Sequence, residues 1–305
     1  MRRNSRVAAV IPTRNRPHLV LRAVASALAQ TYDELEVIVV LDGPDSATSS
    51  VLTTISDNRL RVITLPQAQG AQNARNAGID AAQGDWIALL DDDDEWLPRK
   101  TELQMTLAIK SPFLYPIVSS QFFARSGSHQ LIWPRRQPYE PLSEYLLARD
   151  SCSMGEGILI TTTLLFPKDL FNQVRLAPDL KRCHDVDWLL RSSRQEGAGI
   201  EFVPQPLAVV YQSEEGHRIT NVADWRTCLE WVESVHGIIT GRAYASYLAI
   251  TVASHAARQR DWSAFSLVLR LILTRGKPKI RDLLFFLAAW FVPRKIQLAV
   301  RKAGW

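Results

Sequence analysis

Residues 86–98 have the sequence WIALLDDDDEWLP, in which five apolar residues run directly into four consecutive aspartates. A continuous apolar run of this length is typical of a strand buried on both faces of a parallel sheet. Adjacent carboxylates repel one another, so a folded protein needs a reason to hold four of them together. Divalent Mg²⁺ or Mn²⁺, which prefers oxygen ligands, is the simplest reason. A solvated acidic loop is the alternative interpretation.

The same pattern of apolar run and helix is repeated before this segment. Residues 6–11, 36–41 and 60–65 are predicted strands, and helices are predicted over 19–28, 46–55 and 73–82. This alternation predicts an α/β fold with a mostly parallel sheet flanked by helices. Ligands of such sheets bind beyond the carboxyl ends of the strands. The polar residues at 12–16, 42–45 and 91–94 are therefore the expected site.

The pattern changes beyond residue 110. A loop is predicted over 132–141, strands over 157–166 and 202–211, and a short helix over 187–194. From residue 224 onward the sequence is predicted to be helical, which places a domain boundary near residue 218. Within the loop, Trp133, Pro134, Arg135, Arg136 and Tyr139 could bind an acceptor sugar or lipid phosphate, or could simply pack on the core.

Composition excludes several classes of protein. The chain has 305 residues, of which 47% are hydrophobic and 22% are charged, as in ordinary folded proteins. Its three cysteines form no Cys-x-x-Cys motif, so we expect neither a zinc-cysteine site nor a disulfide scaffold. This cysteine usage predicts a reducing compartment. Residues 7–11 predict a first strand rather than a signal peptide, and no apolar run is long enough to span a membrane.

Charge is concentrated in the last part of the chain. Residues 241–305 hold 12 Lys and Arg against 2 Asp and Glu, whereas the remaining residues hold 24 against 29. Cations flank the apolar block 283–292, which favours a helix lying in an anionic membrane surface. A core helix or an oligomer contact is the alternative. Nucleic acid is not an expected partner, because no recognised binding module accompanies the charge.

Several short motifs, in order along the chain, resemble a known family. They are IPTRNR at 11–16, VLDG at 40–43, GAQNARNAG at 70–78 and LLDDDDEWLP at 89–98, followed later by CHDVDWLLR at 183–191. Together they resemble an inverting family 2 glycosyltransferase of the GT-A fold. The resemblance implies a GT-A domain over 1–218, with a nucleotide-binding half over about 1–110 and an acceptor-binding, catalytic half over about 111–218. The resemblance does not extend to the helical, basic region 219–305, which has no recognised motif.

The resemblance also implies roles for residues of the nucleotide-binding half. Pro12, Thr13 and Arg14 are expected to line the nucleotide pocket, Asp42 to accept a hydrogen bond from the base, and Arg75 to lie near the nucleotide or its diphosphate.

The acidic run matches the family's DXD carboxylates through Asp91 and Asp93. Asp93 is expected on the metal, and Asp91 near the ribose or the metal. Because a run of four leaves the register open, Asp92 and Asp94 could exchange roles with them, and Asp92 is a candidate for nucleotide binding. A bound Mn²⁺ or Mg²⁺ would neutralise the diphosphate that leaves.

The later motif supplies the expected catalytic residue. Asp185 matches the family's base, which deprotonates the acceptor hydroxyl. His184 stands where the family usually has Glu. Asp187 is expected to orient Asp185 or the acceptor, and Arg191 to pair with a carboxylate one helical turn away. His217 is a candidate near the diphosphate or the metal.

Each of these residues has a simpler interpretation. Asp185 could cap the helix that follows it, and Asp42 could be only a turn residue. Arg75 could lie on a helix surface, and His184 and His217 could be surface histidines.

The expected function is metal-dependent inverting transfer of a sugar from a nucleotide-diphosphate sugar, most simply a UDP-sugar, to a hydroxyl of a glycan or lipid-linked acceptor. Surface polysaccharide or glycolipid synthesis at the cytoplasmic face of the membrane would fit. One alternative is a sugar nucleotidyltransferase, although residues 9–17 lack the glycine-rich phosphate loop typical of that class. The other is a non-catalytic nucleotide-sugar-binding or scaffold protein of the same fold.

Overall fold

The computed structural model describes residues 5–151, 155–180, 182–212, 224–293 and 295–296. Contacts divide the chain into two units. Unit 1 consists of Met1–Trp133 and Leu159–Gly216, and unit 2 of Pro134–Ile158 and His217–Trp305. The chain therefore enters unit 2 twice, and no sequence pattern indicated that residues 134–158 belong with the C-terminal helices.

Unit 1 is built on a nine-stranded sheet. Its strands are β1 (Val7–Thr13), β2 (Leu35–Leu41), β3 (Leu60–Thr64), β4 (Trp86–Leu89), β5 (Glu95–Trp96), β6 (Tyr115–Ser126), β7 (His129–Trp133), β8 (Leu165–Pro167) and β9 (Ala198–Tyr211). Its helices are α1 (Pro17–Leu28), α2 (Ser46–Leu52), α3 (Ala71–Ala81), α4 (Lys100–Lys110), α6 (Lys168–Gln173) and α7 (His184–Ser192).

The first half of the sheet is parallel, in the order β3-β2-β1-β4. This confirms the predicted α/β architecture. The second half is mixed: β8 pairs antiparallel with β4 and β6, and β9 runs parallel to β6. The sheet reverses its order at β1, where β2 lies on one side and β4 on the other, and ligands of such sheets bind at this kind of switch point.

The apolar strands at the centre of the parallel half are fully buried. Every residue of β1 and β2 is buried. Gly78 lets α3 approach the sheet closely, since an added Cβ would lie 2.5 Å from Cγ1 of Val10 and 2.9 Å from Cγ2 of Val40. A side chain at this position would push α3 away from the strands that carry the site.

Two sequence-based expectations were incomplete or wrong in unit 1. The long strand β6 was not predicted. The strand predicted over 157–166 is wrong at Thr161–Thr163, which form a 3₁₀ turn before the short β8. Threonine favours strands, but here the Thr163 hydroxyl donates to the carbonyl of Ile160 at 2.8 Å and so stabilises the turn.

Among the described residues of unit 2, all regular secondary structure is helical. Its helices are α5 (Leu142–Leu147), α8 (Trp225–Ser234), α9 (Gly241–Tyr247), α10 (Ala253–Arg258), α11 (Ser263–Thr274) and α12 (Ile280–Phe291), with a π-helical segment at Leu248–Val252. The predicted helical C-terminal region is thus confirmed. Over the described ranges, no helix combines the length and apolarity that a bilayer crossing requires.

Candidate active site

The carboxyl ends of three parallel strands bring the predicted loops together. Thr13 ends β1, Asp42 follows β2 directly, and Asp91 follows β4 after one residue. The Asp42 amide donates to the Thr13 carbonyl at 2.9 Å, and the Thr13 hydroxyl donates to Oδ2 of Asp92 at 2.7 Å. Pro12 is buried within β1, and Arg14 is exposed just beyond it.

The four aspartates of the acidic run do not act alike. Asp91, Asp93 and Asp94 each offer a carboxylate oxygen, and these oxygens lie within 4.8 Å of one another. Asp92 is buried apart from this cluster, where it accepts hydrogen bonds from Thr13 and, at 2.9 Å, from Arg16. Burial raises the pKa of Asp92 to about 6. The geometry therefore groups Asp91, Asp93 and Asp94 as candidate metal ligands and gives Asp92 a separate place.

Asp94 is the buried member of the cluster. It accepts hydrogen bonds from the Thr162 hydroxyl at 2.6 Å and from the Tyr211 amide at 3.3 Å. Burial, together with the charges of Asp91 and Asp93, raises the pKa of Asp94 well above its usual range. Three oxygen donors under this electrostatic repulsion fit a hard divalent cation, which would relieve the repulsion.

Arg75 and Asp42 are both buried, so neither is a surface residue. Arg75, on α3, pairs with Asp91 at the edge of the acidic cluster. Asp42 accepts the amides of Gln69 at 2.6 Å and Gly70 at 3.0 Å and thereby fixes the loop that leads into α3. Its carboxylate thus already has two protein partners, which the resemblance did not imply.

Helix α7 carries the predicted catalytic segment. Asp185 lies in its first turn, where Oδ1 accepts the amide of Val186 at 2.9 Å. The N-cap position belongs to Cys183, so Asp185 does not cap the helix. Asp187 is buried and accepts a hydrogen bond from Nε of Arg191 at 2.9 Å, as the expected pairing across one turn requires.

His184 is not a surface histidine. Its Nε2 lies 3.3 Å from the Thr161 hydroxyl, and its Nδ1 is buried with no hydrogen-bond partner among the described residues. Burial lowers the pKa of His184, against the opposing charges of Asp185 and Asp91. His184 is the first residue of α7, and the charges that act on it come from its neighbour Asp185 and from Arg75 and Asp91 at the acidic cluster. His217, the other candidate histidine, lies outside the described residues.

Sequence reasoning missed the contribution of the 3₁₀ turn. Thr161 contacts His184, Thr162 holds Asp94, and the Thr163 hydroxyl lies 2.8 Å from that of Ser119. The first two hydroxyls thus contact candidate site residues, whereas the third joins the turn to β6. Three consecutive threonines were the available signal, but they also suit a strand. Asp94 was considered only as an alternative to its neighbours, because a run of four gives no register.

Comparison with known proteins identifies the family to which this fold belongs. Residues 8–175 match the sequence model of Glycosyl transferase family 2, and the chain belongs to this family. Its likeness to the Staphylococcus aureus protein TarS, crystallised as residues 1–349 with UDP-GlcNAc, has a TM-score of 0.55 at 16% identity and covers 93% of this chain and 79% of that chain. This likeness supports the GT-A fold.

Two curated relatives come from Escherichia coli. The chain is 34% identical over 111 residues to the UDP-Glc:alpha-D-GlcNAc-diphosphoundecaprenol beta-1,3-glucosyltransferase WfgD, a match that covers 36% of this chain and 44% of WfgD. It is 31% identical over 201 residues to WcaA, a putative colanic acid biosynthesis glycosyl transferase, covering 63% of this chain and 67% of WcaA. The chain thus spans less than half of the length of WfgD.

Proposed function

We propose that the protein is a metal-dependent inverting glycosyltransferase that moves a sugar from a UDP-sugar to a hydroxyl of a glycan or lipid-linked acceptor. The observation that carries this proposal is the convergence of Asp91, Asp93 and Asp94 at the switch point of the sheet. A cluster of three carboxylates, one of them buried, is costly to hold together in a protein that has no cation to bind.

Mn²⁺ or Mg²⁺ would be held by Asp91, Asp93 and Asp94, and when bound it would neutralise the charge that develops on the leaving diphosphate. The protein orients these ligands from outside the cluster. Arg75 pairs with Asp91, Arg16 lies 3.3 Å from Asp93, and neutral hydrogen bonds hold Asp94.

Asp185 would act as the base that accepts the proton of the acceptor hydroxyl. Among the described residues, its one hydrogen bond engages Oδ1 and leaves Oδ2 available. Asp187 is tied to Arg191 and would keep the first turn of α7 in place rather than react. Pro12, Thr13, Arg14, Asp42 and Asp92 would form the floor and rim of the nucleotide pocket.

The names of the relatives support the finer part of the proposal. WfgD is named for a UDP-Glc donor and a diphosphoundecaprenol-linked acceptor, and WcaA for colanic acid biosynthesis. We therefore place the chain in surface polysaccharide or glycolipid synthesis, peripheral to the cytoplasmic face of the membrane. Membership of the family and the intact acidic cluster disfavour a nucleotidyltransferase or a non-catalytic scaffold.

Calorimetric titration with UDP, GDP, dTDP and ADP, each with Mn²⁺ and with EDTA, tests the proposal. We expect UDP to bind with Mn²⁺ and to bind far more weakly with EDTA. Radiolabelled UDP-sugars and lipid-diphosphate acceptors would then identify the substrates. A folded protein that binds none of the four nucleotides under either condition would contradict the proposal and favour a scaffold role.

A further inference from the structure

Helix α12 of unit 2 presents a stripe of large apolar side chains to solvent. Ile280, Leu284, Leu287 and Phe291 are 80%, 59%, 43% and 60% exposed. At 100° per residue, these four positions fall within an arc of about 60°. A contiguous exposed apolar face of this kind marks an interaction surface rather than chance exposure. We call these four residues the α12 stripe.

The opposite side of α12 fixes the helix in this orientation. Asp282 and Phe286 are fully buried. Oδ2 of Asp282 accepts the amide of Lys279 at 2.8 Å, and the ring of Phe286 lies 5.0 Å from that of Phe265 on α11. The helix cannot roll to bury its stripe without exposing Phe286 and the carboxylate of Asp282.

The preceding helix extends the apolar surface. Trp262, at the start of α11, is 57% exposed, and its ring lies 6.1 Å from that of Phe291 and 5.0 Å from that of Trp290. Tryptophan is favoured at the boundary between water and lipid, because its ring is apolar and its N–H is polar.

Cations collect at the start of α12. Lys277, Lys279 and Arg281 are exposed there within five residues of chain. Asp150 lies 4.0 Å from Lys279 and 3.3 Å from Arg281, but it also pairs with Arg242 and Arg136. Arg242 and Arg136 also pair with Glu144 and Glu156, so three carboxylates face four cations, and with Lys277 the group keeps a net positive charge beside the stripe.

We propose that α12 lies in the plane of an anionic lipid surface, with the α12 stripe among the acyl chains and Lys277, Lys279 and Arg281 against the lipid phosphates. The apolar face is about 16 Å long, which suits a helix lying on a membrane and not one crossing it. This inference rests on the proposed function only in placing the acceptor at the same membrane.

Charge complementarity favours lipid over a second copy of this chain. Two α12 stripes packed against each other, in a parallel arrangement, would bring two sets of cations together without an acidic partner. An anionic bilayer supplies phosphates to the cations and hydrocarbon to the stripe, and each basic residue near such a surface strengthens attachment.

Flotation of the full chain with vesicles tests this surface, without nucleotide or acceptor. We expect binding to vesicles that contain about 30 mol% phosphatidylglycerol, little binding to pure phosphatidylcholine, and weaker binding as salt is raised. The variant Ile280→Ser/Leu284→Gln/Leu287→Gln/Phe291→Gln should lose about tenfold or more of this binding. Ile109→Gln/Leu114→Gln, which changes exposed apolar residues of unit 1, is the matched control and should bind like the wild type.

Two further measurements separate the outcomes. Circular dichroism and UDP titration establish that the α12 variant is folded and keeps its nucleotide site, so loss of vesicle binding cannot reflect failure of the proposed function. Light scattering coupled to gel filtration reports oligomeric state. Failure of the wild type to bind anionic vesicles, or equal binding by the α12 variant, would overturn the inference. A wild-type dimer that the α12 variant converts to monomer, without vesicle binding, would assign the stripe to a second copy instead.

Discussion

Asp94 in unit 1 and Asp150 in unit 2 are both largely shielded carboxylates, but their surroundings have opposite charge. Asp94 faces two other carboxylates and is held by a neutral hydroxyl and an amide, and its pKa is raised well above the usual range. Burial raises the pKa of Asp150, but the charges of Arg242, Lys279 and Arg281 outweigh it and lower that pKa. Arg136 lies 3.4 Å away as a fourth cation.

This difference shows that the net charge of a cluster indicates its ligand better than the number of its ion pairs does. Three clustered carboxylates face two arginines, one of which also pairs with Asp92, and this excess of negative charge indicates a missing cation. An excess of positive charge around Asp150 indicates an anionic partner. The two units would thus bind ligands of opposite sign, a metal with its nucleotide in unit 1 and a phosphate-bearing surface in unit 2.

The largest effect should come from reducing the negative charge of the acidic cluster. Asp93→Asn replaces a proposed metal ligand with a neutral amide, and we expect sugar transfer to fall about 10³-fold, because a bound cation would contribute several kcal/mol to leaving-group stabilisation. Asp80→Asn makes the same change at a surface ion pair with Arg175 and should keep full activity. Initial rates at saturating Mn²⁺ are the measurement, and equal rates for the two variants would contradict the metal assignment.

The next effect separates the base from the metal site. Asp185→Asn should lower kcat by about 10² to 10⁴-fold, because an amide cannot accept the acceptor proton. Metal-dependent UDP binding, measured by calorimetry, should stay unchanged. Transfer that survives this substitution would remove Asp185 from the base role. Lost UDP binding would place Asp185 in the nucleotide site instead.

A smaller effect is expected from removing the neutral hydrogen bond that the Thr162 hydroxyl donates to Asp94. Thr162→Val removes its 2.6 Å hydrogen bond, and we expect the Mn²⁺ concentration for half-maximal activity to change about tenfold, whereas Thr162→Ser should restore it. Thr163→Val alters the next residue of the same turn, whose hydroxyl faces Ser119 and not the cluster. It should lower the melting temperature but leave the Mn²⁺ dependence unchanged. If both valine variants changed the Mn²⁺ dependence equally, the turn would support the fold without a specific role for the Thr162–Asp94 hydrogen bond.

The sheet of unit 1 was only partly predictable from the sequence. Strands β1, β2 and β4 follow from unbroken apolar runs, and the polar residues after them follow from the rule for parallel sheets. Strand β6 escaped because Ser119 and Ser120, which point to opposite faces of the strand, are both buried and interrupt its apolar run. Periodicity cannot detect a strand that buries polar side chains such as Ser119, whose hydroxyl is paired with that of the distant Thr163.

The site was predictable in its residues more than in its arrangement. The acidic run, Arg75 and Asp185 stand out in the sequence, but the burial of Asp92 depends on its contact with Thr13, and Arg16 links Asp92 to Asp93. The surroundings of Asp150 were still less accessible, since they bring residues near 136, 242 and 280 together. Contacts between residues distant in the sequence decide the sign of the net charge of each cluster, and no local sequence pattern predicts these contacts.

The smallest effect concerns the positive cluster itself. Because the folded-state pKa of Asp150 lies below its ordinary value of 3.8, the ionised carboxylate stabilises the fold above that pH, and this contribution is lost as the pH falls through the folded-state pKa. Asp150→Asn should therefore lower the melting temperature by about 2–4 °C near pH 7, and the difference should shrink towards zero as the pH falls through the folded-state pKa of Asp150. Parallel thermal melts of wild type and variant across this range are the measurement, with Asp80→Asn as the control for an exposed pair. A difference that grows as the pH falls would mean that the four cations do not stabilise the charged form of Asp150, and the positive cluster would then need another explanation.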